Sequence, residues 1–317
     1  MGRRPHRSRW SDTYNCTVRE ERRSGWSSRL AKAFRVRGPR VRRIYHHARR
    51  IERYVLDAER RAALRQLPAT DFAITAVDGF LVLPPGRFAE TAGIVAEAQQ
   101  ALSLFDASAP PGGKNRKRFL QNVLEASTLS LDSAILTFAL RDDVLSTVSR
   151  YLGTVPFLTS VQVFHSDAVD DVPTSSQLYH CDGDDVTQIK VFIYCSDVNP
   201  ASGPLTVLDA ATTTTVQRRT NYWYRNRLTD EQVHNAVGTS GEHPILGPTG
   251  TTALVDTSRC FHFGSRVASD APARLVTMIQ YQTPYSFMLP TSAQHTLPFR
   301  RLIRPGMAQL QRQVLGE

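Results

Sequence analysis

The sequence contains no long apolar run and few cysteines. No stretch approaches the roughly 18 consecutive apolar residues of a membrane-spanning helix, and no apolar segment follows the arginines at its start, so we expect neither a membrane span nor a secretory signal. The four cysteines (Cys16, Cys181, Cys195 and Cys260) form no CxxC pair and have no spacing typical of a disulfide framework, which favours a reducing compartment. We therefore expect a cytoplasmic protein.

Acidic residues are scarce in the first 66 positions, where the charge is strongly positive. Residues 1–66 contain 19 Arg and one Lys against six Asp or Glu, a net charge of +14, whereas the whole chain carries +10 and the remainder therefore −4. Arginine-rich segments can bind nucleic acid or anionic surfaces. This one has neither zinc-finger spacing nor an RNP motif, so such contact through residues 1–66 is the disfavoured alternative.

The basic segment divides into two parts. Residues 1–40 have no clear hydrophobic period and are expected to be flexible. From Val41 onwards, apolar residues recur near helical spacing and predict an amphipathic helix over 41–68, which ends before Pro68.

Residues 70–305 are predicted to form one domain. Helical patterns dominate up to about residue 152, and five segments rich in β-branched and aromatic residues follow. This order predicts a mainly β fold, a β-sandwich or jelly roll with helices packed outside it. An insertion over about 209–250 contains the aromatic run Asn221-Tyr222-Trp223-Tyr224-Arg225. It is either a lid over the site or a helical hairpin packed on the barrel, and the sequence favours neither.

The residues with the clearest chemical meaning are His180 and Asp182, which precede a strand. Two ligands at i and i+2 point to the same side of an extended chain, so both can hold one ion. A third ligand, His262, follows an apolar strand whose end places it at a sheet rim. Two imidazoles and one carboxylate form the facial triad of non-haem iron(II), which leaves three coordination positions open for a keto acid and dioxygen.

Arg274, at the start of the last strand, is the candidate for binding an anion. A guanidinium binds a carboxylate through two parallel hydrogen bonds, which suits the distal carboxylate of 2-oxoglutarate. The alternative is an ordinary salt bridge at the sheet edge. Arg266 is a competing candidate, but the adjacent Gly264-Ser265 predicts a turn that points it outward.

The strand after the HxD motif has two different faces. Ile189, Val191 and Ile193 form a plain core face, and the residues between them mix polar and aromatic groups. These are Gln188, Lys190, Phe192 and Tyr194. Such a mixed face fits either the protein surface or the lining of a cavity. Because the strand begins beside the metal motif, we favour the cavity.

The run from Ser176 to Leu208, SQLYHCDGDDVTQIKVFIYCSDVNPASGPLTVL, resembles the phytanoyl-CoA dioxygenase family. The segment Asp78–Pro84 is similar to the opening strand of that family, and His262 and Arg274 follow with matching spacing. The resemblance covers roughly residues 70–285. It implies a double-stranded β-helix (a jelly-roll or cupin-like core) that binds iron(II), 2-oxoglutarate and O2. The implied reaction converts 2-oxoglutarate to succinate and CO2 and, in most members, hydroxylates a C–H bond.

The resemblance also implies roles for individual residues. His180, Asp182 and His262 match the metal ligands, and Arg274, Gln177 and Phe192 are expected at the cosubstrate. Asp182 argues for a hydroxylase, since related halogenases have a small residue in place of this carboxylate.

The chain departs from the family after its Gly-Pro-Leu turn. Many members have Pro-Gly-Ser-His there, whereas this chain has Leu208-Asp209-Ala210-Ala211-Thr212. It also shows no coenzyme A signature. The substrate is therefore expected to be a small organic molecule of unknown identity, and the alternative function is a non-catalytic, small-molecule-binding barrel of the same fold.

Overall fold

A computed structural model describes residues 26–105, 119–168, 172–239, 241–289 and 297–317. Three helices come first: α1 (Trp26–Arg35), α2 (Pro39–Glu52) and α3 (Tyr54–Arg65). The elements that follow are, in chain order, β1 (Phe80–Leu83), α4 (Thr91–Ser103), β2 (Gln121–Asn122), α5 (Ala134–Ala139), α6 (Asp142–Leu152), β3 (Phe157–Ser166), β4 (Gln188–Tyr194), β5 (Thr206–Leu208), α7 (Ala210–Arg219), α8 (Asp230–Val237), β6 (Glu242–Pro244), β7 (Thr252–Asp256), β8 (His262–Phe263), β9 (Arg274–Gln282) and α9 (Gln309–Leu315).

Two antiparallel sheets form the centre of the fold. The larger sheet has the strand order β1-β7-β4-β9-β3-β2, and the smaller one has the order β6-β5-β8. All pairings within them are antiparallel. Together with the surrounding helices, they confirm the predicted sheet-rich architecture with flanking helices, and the structure shows that its sheets are antiparallel.

The centre of the larger sheet separates the hydrophobic core from a cavity. In β4, Val191 lies opposite Leu254 of β7 and Ile279 of β9. Val191 and its neighbours Ile189 and Ile193 pack into the same core as the apolar faces of α4, α5 and α6. Burying each such side chain stabilises the fold by about 1.5–3 kcal/mol. The intervening residues of β4 face the other way, as the alternation in the sequence predicts.

Helices α2 and α3 pack on the rest of the protein through arginine side chains that reach loop carbonyls. Arg42, Arg49, Arg53 and Arg60 are buried, with at most 7% of each residue exposed. Their guanidinium groups donate hydrogen bonds to backbone carbonyl oxygens of distant segments. The sequence predicts one amphipathic helix over 41–68; the structure has two, interrupted at Arg53.

Part of the segment expected to be flexible is helical. α1 lies within residues 1–40 and packs on the rest of the protein. Ala31 is buried, and the ring of Phe34 stacks on that of Tyr45, with 4.7 Å between centroids. Residues 1–25 lie outside the described residues.

The insertion at 209–250 contains α7, α8 and β6. Tyr222 and Tyr224 of the aromatic run are buried, and their hydroxyl groups contact backbone atoms of the core: the Tyr222 hydroxyl accepts from the Cys181 N–H (3.1 Å), and the Tyr224 hydroxyl donates to the Ser258 carbonyl (2.8 Å). The described residues of this segment thus form a packed helical hairpin.

Candidate metal centre

His180, Asp182 and His262 converge at one point. Their ligand atoms all lie within 4.8 Å of one another. The backbone N–H of His180 donates to the carbonyl of His262 (3.1 Å), and the reverse bond measures 3.0 Å. The N–H of Asp182 donates to the Thr257 carbonyl (2.7 Å), so backbone pairing fixes both chain segments that carry ligands. The structure therefore brings together the three residues that the sequence predicts as ligands.

Each histidine is oriented by a hydrogen bond from its other ring nitrogen. Nδ1 of His180 lies 2.9 Å from the Leu178 carbonyl oxygen, and Nδ1 of His262 lies 3.1 Å from that of Cys260. A carbonyl oxygen only accepts, so both Nδ1 atoms carry a proton and both Nε2 atoms keep a lone pair. Burial, reinforced by His262, lowers the pKa of His180 well below its ordinary value, and burial also lowers the pKa of His262. Both rings are thus neutral at physiological pH, as metal ligation requires.

Asp182 is held as a carboxylate by its neighbours. Burial by itself would raise the pKa of Asp182, but Lys190 and His262 outweigh this effect and hold it well below the usual range. The Lys190 ammonium is 2.8 Å from Oδ2 of Asp182, and the Gln188 side-chain amide donates to the same oxygen at 3.3 Å. The sequence places Lys190 on the mixed face of β4 but does not predict its ion pair with Asp182. The signal that could have revealed this ion pair is a single lysine within an otherwise largely apolar strand.

The donor set fits a divalent transition metal such as iron(II). Two neutral imidazoles and one carboxylate suit this ion, and all three side chains line a cavity, from which a bound ion would be accessible. Each of the three side chains is also held in place by its neighbours: a carbonyl orients each imidazole, and a lysine and an amide orient the carboxylate.

The cavity beside the three ligands has a volume of about 200 Å³. Lys190, Phe192 and Tyr194 line it from β4, and Val276 and Met278 line it from β9. Three of the four residues of the mixed face of β4 therefore line a cavity, as we predict from the sequence, whereas Gln188 is buried beside it.

Arg274 lies at the end of this cavity as a buried cation. Only 6% of the residue is exposed. Its Nη1 donates to the Gly203 carbonyl and its Nη2 to Oγ of Ser265 (2.9 Å), while Nε has no partner among the described residues. Burial lowers the pKa of Arg274, and no carboxylate in the described part of the chain opposes this effect. The alternative of a salt bridge at the sheet edge is thus not seen within the ranges that the structure describes.

Arg266 and Gln177 lie outside the cavity lining. Arg266 forms two hydrogen bonds with Asp230 (2.7 and 2.8 Å) and stacks on the ring of Phe263, which fits the outward direction that we predict. The side-chain amide of Gln177 accepts from the Thr174 N–H and donates to the Ser265 carbonyl. A contact between Gln177 and a cosubstrate therefore stays a prediction, whereas Phe192 lies where such a contact is available.

The loop that follows Asp182 is fastened by the N-terminal helices. Arg42 donates to the carbonyls of Gly183 (3.0 Å) and Asp185, and Arg35 forms an ion pair with Asp184 (2.6 Å). On the other side of the loop, Thr283 donates to the Asp185 carboxylate from its backbone and from its hydroxyl. The arginine-rich segment is thus part of the support of the metal centre, a role that its sequence did not predict.

No protein-family model matches the chain, and no curated protein matches it. Solved structures that resemble part of it include EctD from S. alaskensis with 2-oxoglutarate and 5-hydroxyectoine (TM-score 0.47, 16% identity, 78% of this chain and 90% of that chain). Others are HygX from Streptomyces hygroscopicus with nickel, 2-oxoglutarate and hygromycin B (0.44, 18%, 65% and 84%) and the epimerase SnoN with Fe3+, alpha ketoglutarate and nogalamycin RO (0.44, 18%, 78% and 92%). None of the described helices is long and apolar enough to cross a membrane.

Proposed function

We propose that this chain is an iron(II)- and 2-oxoglutarate-dependent oxygenase that hydroxylates a small organic molecule and releases succinate and CO2. The observation that carries the proposal is the pairing, in one cavity, of three converging metal ligands with a buried arginine that has no carboxylate partner among the described residues. A buried, uncompensated cation is unfavourable unless an anion joins it. A dicarboxylic keto acid supplies that anion at one end and chelates the metal at the other.

The residues of the cavity have separate tasks in this reaction. The Nε2 atoms of His180 and His262 and the carboxylate of Asp182 would hold iron(II). When bound, iron supplies the activation of dioxygen that is coupled to decarboxylation of the keto acid. Arg274 and the Ser265 hydroxyl bind the distal carboxylate, which fixes the direction in which the keto acid enters. The aromatic and aliphatic side chains along β4 and β9 keep water away from the reacting atoms.

Lys190 is a second cation at the same cavity. Its ammonium is paired with Asp182, so metal binding brings a dication to an oxygen that Lys190 already contacts. Lys190 neutralises the carboxylate, whose side chain is only 16% exposed, while the metal is absent, and its charge tunes the affinity of the site for the metal.

The proposed fold is the double-stranded β-helix, and the proposed family is that of phytanoyl-CoA dioxygenase. The two antiparallel sheets supply the two walls of such a barrel, and the metal ligands lie where the short strand β8 of the smaller sheet meets the HxD segment. The small cavity and the absence of a coenzyme A signature favour a small substrate over an acyl-CoA thioester.

An anaerobic titration tests the proposal. Fe(II) and then 2-oxoglutarate are added to the purified protein, and the weak visible charge-transfer band of a chelated keto acid is recorded. We expect the band in the wild type and in His243→Ala, which removes an exposed histidine, and its loss in His180→Ala. Arg274→Met should weaken 2-oxoglutarate binding and leave Fe(II) binding intact. Absence of the band in the wild type, or its persistence in His180→Ala, would contradict the assignment.

A further inference from the structure

Helices α2 and α3 are amphipathic, but they bury arginines and expose aliphatic residues, the reverse of the usual arrangement. Val41, Ile44, Ile51 and Val55 are 39%, 70%, 62% and 54% exposed, although arginines on the opposite face are buried. The exposed apolar residues recur at helical spacing on both sides of the break at Arg53. We call them the apolar seam: Val41, Ile44, Ala48, Ile51, Val55, Ala58 and Ala62.

The seam has no freedom to turn inward, because the buried arginines fix the orientation of both helices. Arg42 and Arg60 each donate to several backbone carbonyls, and their guanidinium groups lie 3.6 Å from the ring centroid of Tyr224 and 4.0 Å from that of Phe157. Releasing them would leave those carbonyls without donors. The packing of the arginines therefore presents the seam outward, and a contiguous apolar face held outward is typical of a binding surface.

The spacing of the seam selects a helix as its partner. Successive members are separated by 3, 4, 3, 4, 3 and 4 positions, which is the a/d repeat of a coiled coil over three heptads. Most positions that flank the seam are polar or charged, among them His47, Glu52 and Glu59, and the other two are tyrosines. A narrow seam of this kind suits a second helix, whereas a helix lying on a membrane needs a wider apolar face with large side chains.

The flanking residues are compatible with a second copy of the same chain. In a parallel pair, position g of one helix faces position e of the other in the next heptad. The four resulting pairs contain no two like charges: Arg40 with Tyr45, His47 with Glu52, Tyr54 with Glu59, and Arg61 with Gln66. An antiparallel pair that matches a with d positions over residues 41–58 would instead bring Arg40 against Arg61.

We propose that α2 and α3 pair in parallel with the same helices of a second copy, so that the apolar seam is the interface of a two-fold symmetric dimer. In such a dimer, the buried arginines of each copy attach the paired helices to the rest of that copy, on the side opposite the interface. This inference is independent of the proposed function, because it uses neither the metal ligands nor the cavity.

Sedimentation equilibrium over a concentration series tests the pairing. We expect a monomer–dimer equilibrium in the wild type, and at least about a 100-fold weaker association in Ile44→Glu and Ile51→Glu, since each places a charge in the apolar interface. Leu104→Glu is the matched control, because Leu104 is an apolar residue with 78% exposure outside the seam, and it should associate like the wild type. Circular dichroism checks that all variants are folded.

A disulfide reports the direction of the helices. In a Cys16→Ser background the other three cysteines are buried, so Ala48→Cys adds a single accessible thiol on the seam. A parallel dimer places both copies of this a position together and should form a disulfide-linked dimer under mild oxidation, whereas Leu104→Cys should not. The proposal is overturned if the wild type is monomeric at every concentration, both with and without anionic vesicles, and also after removal of residues 1–25. A wild-type dimer that Ile44→Glu leaves intact overturns it as well.

Discussion

Replacing Arg42 with methionine tests whether the N-terminal helices support the metal centre. Arg42 is 1% exposed, and it donates to the carbonyls of Gly183 and Asp185 in the loop that directly follows the candidate ligand Asp182. A third bond goes to the Arg35 carbonyl. Methionine keeps most of the aliphatic volume and removes the guanidinium, so the loop loses two of its fixed attachments.

The size of the effect follows from these contacts. Leaving a buried carbonyl without its donor costs about 1–3 kcal/mol, and three carbonyls are affected, although removing a buried cation offsets part of this. We expect a net loss of about 3 kcal/mol in the free energy of unfolding. Loss of a residue that orients a metal ligand typically weakens metal binding about 10–100-fold, and we expect the same range for the dissociation constant of Co(II), a spectroscopic substitute for iron(II).

Arg60→Met is the control for this experiment. Arg60 is fully buried and bonds to four carbonyls, those of Val155, Pro156, Gln313 and Glu317, none of which is in the loop after Asp182. Urea unfolding of the metal-free protein should show similar destabilisation in both variants, while the visible absorption of bound Co(II) should show weaker binding in Arg42→Met alone. Equal loss of Co(II) affinity in both variants, or unchanged affinity in Arg42→Met, would refute the role of Arg42 in positioning the loop.

Three further predictions concern the interior charges. Lys190→Met leaves the Asp182 carboxylate buried without its ion pair, so the metal-free protein should lose about 3 kcal/mol of unfolding free energy. Most of this loss should disappear with saturating Co(II). An equal loss with and without metal in urea unfolding would contradict this expectation. Asp182→Ala removes the anionic ligand and should abolish both Co(II) absorption and succinate release, whereas retained turnover would reject the ligand assignment. Burial raises the pKa of Asp256 from 3.8 to about 6, so its contribution to stability is present below pH 3.8 and is lost as the pH rises through about 6. That decline, up to about 3 kcal/mol in urea unfolding, should be absent in Asp256→Asn, and a variant with the wild-type pH dependence would show that Asp256 is not its origin.

The convergence of the three candidate metal ligands could be predicted from sequence because the relevant geometry is local. Two residues at i and i+2 of an extended chain share a side whatever the rest of the fold does, and His262 follows a strand that must end at a sheet rim. Gln177 shows the limit of the same reasoning. It is three residues from His180, but it closes a short 3-10 turn, Ser175–Gln177, and this turn directs its amide to Thr174 and Ser265. Two residues that are close in sequence can thus be expected to face the same cavity only where no turn separates them.

The N-terminal helices show why periodicity identifies a helix without revealing which face is buried. Two sets of residues recur at helical spacing there, the aliphatic seam and the four buried arginines, and a hydrophobicity argument chooses the first. The surface that receives the helices decides otherwise: it consists largely of loop carbonyls, such as those of Gly183, Val155 and Leu289, to which the arginines donate. An aliphatic side chain would leave these oxygens unsatisfied, whereas a guanidinium offers five donors and a long apolar stem. A stripe of arginines at helical spacing can therefore be a buried face wherever the opposing surface is made of loops rather than of strands.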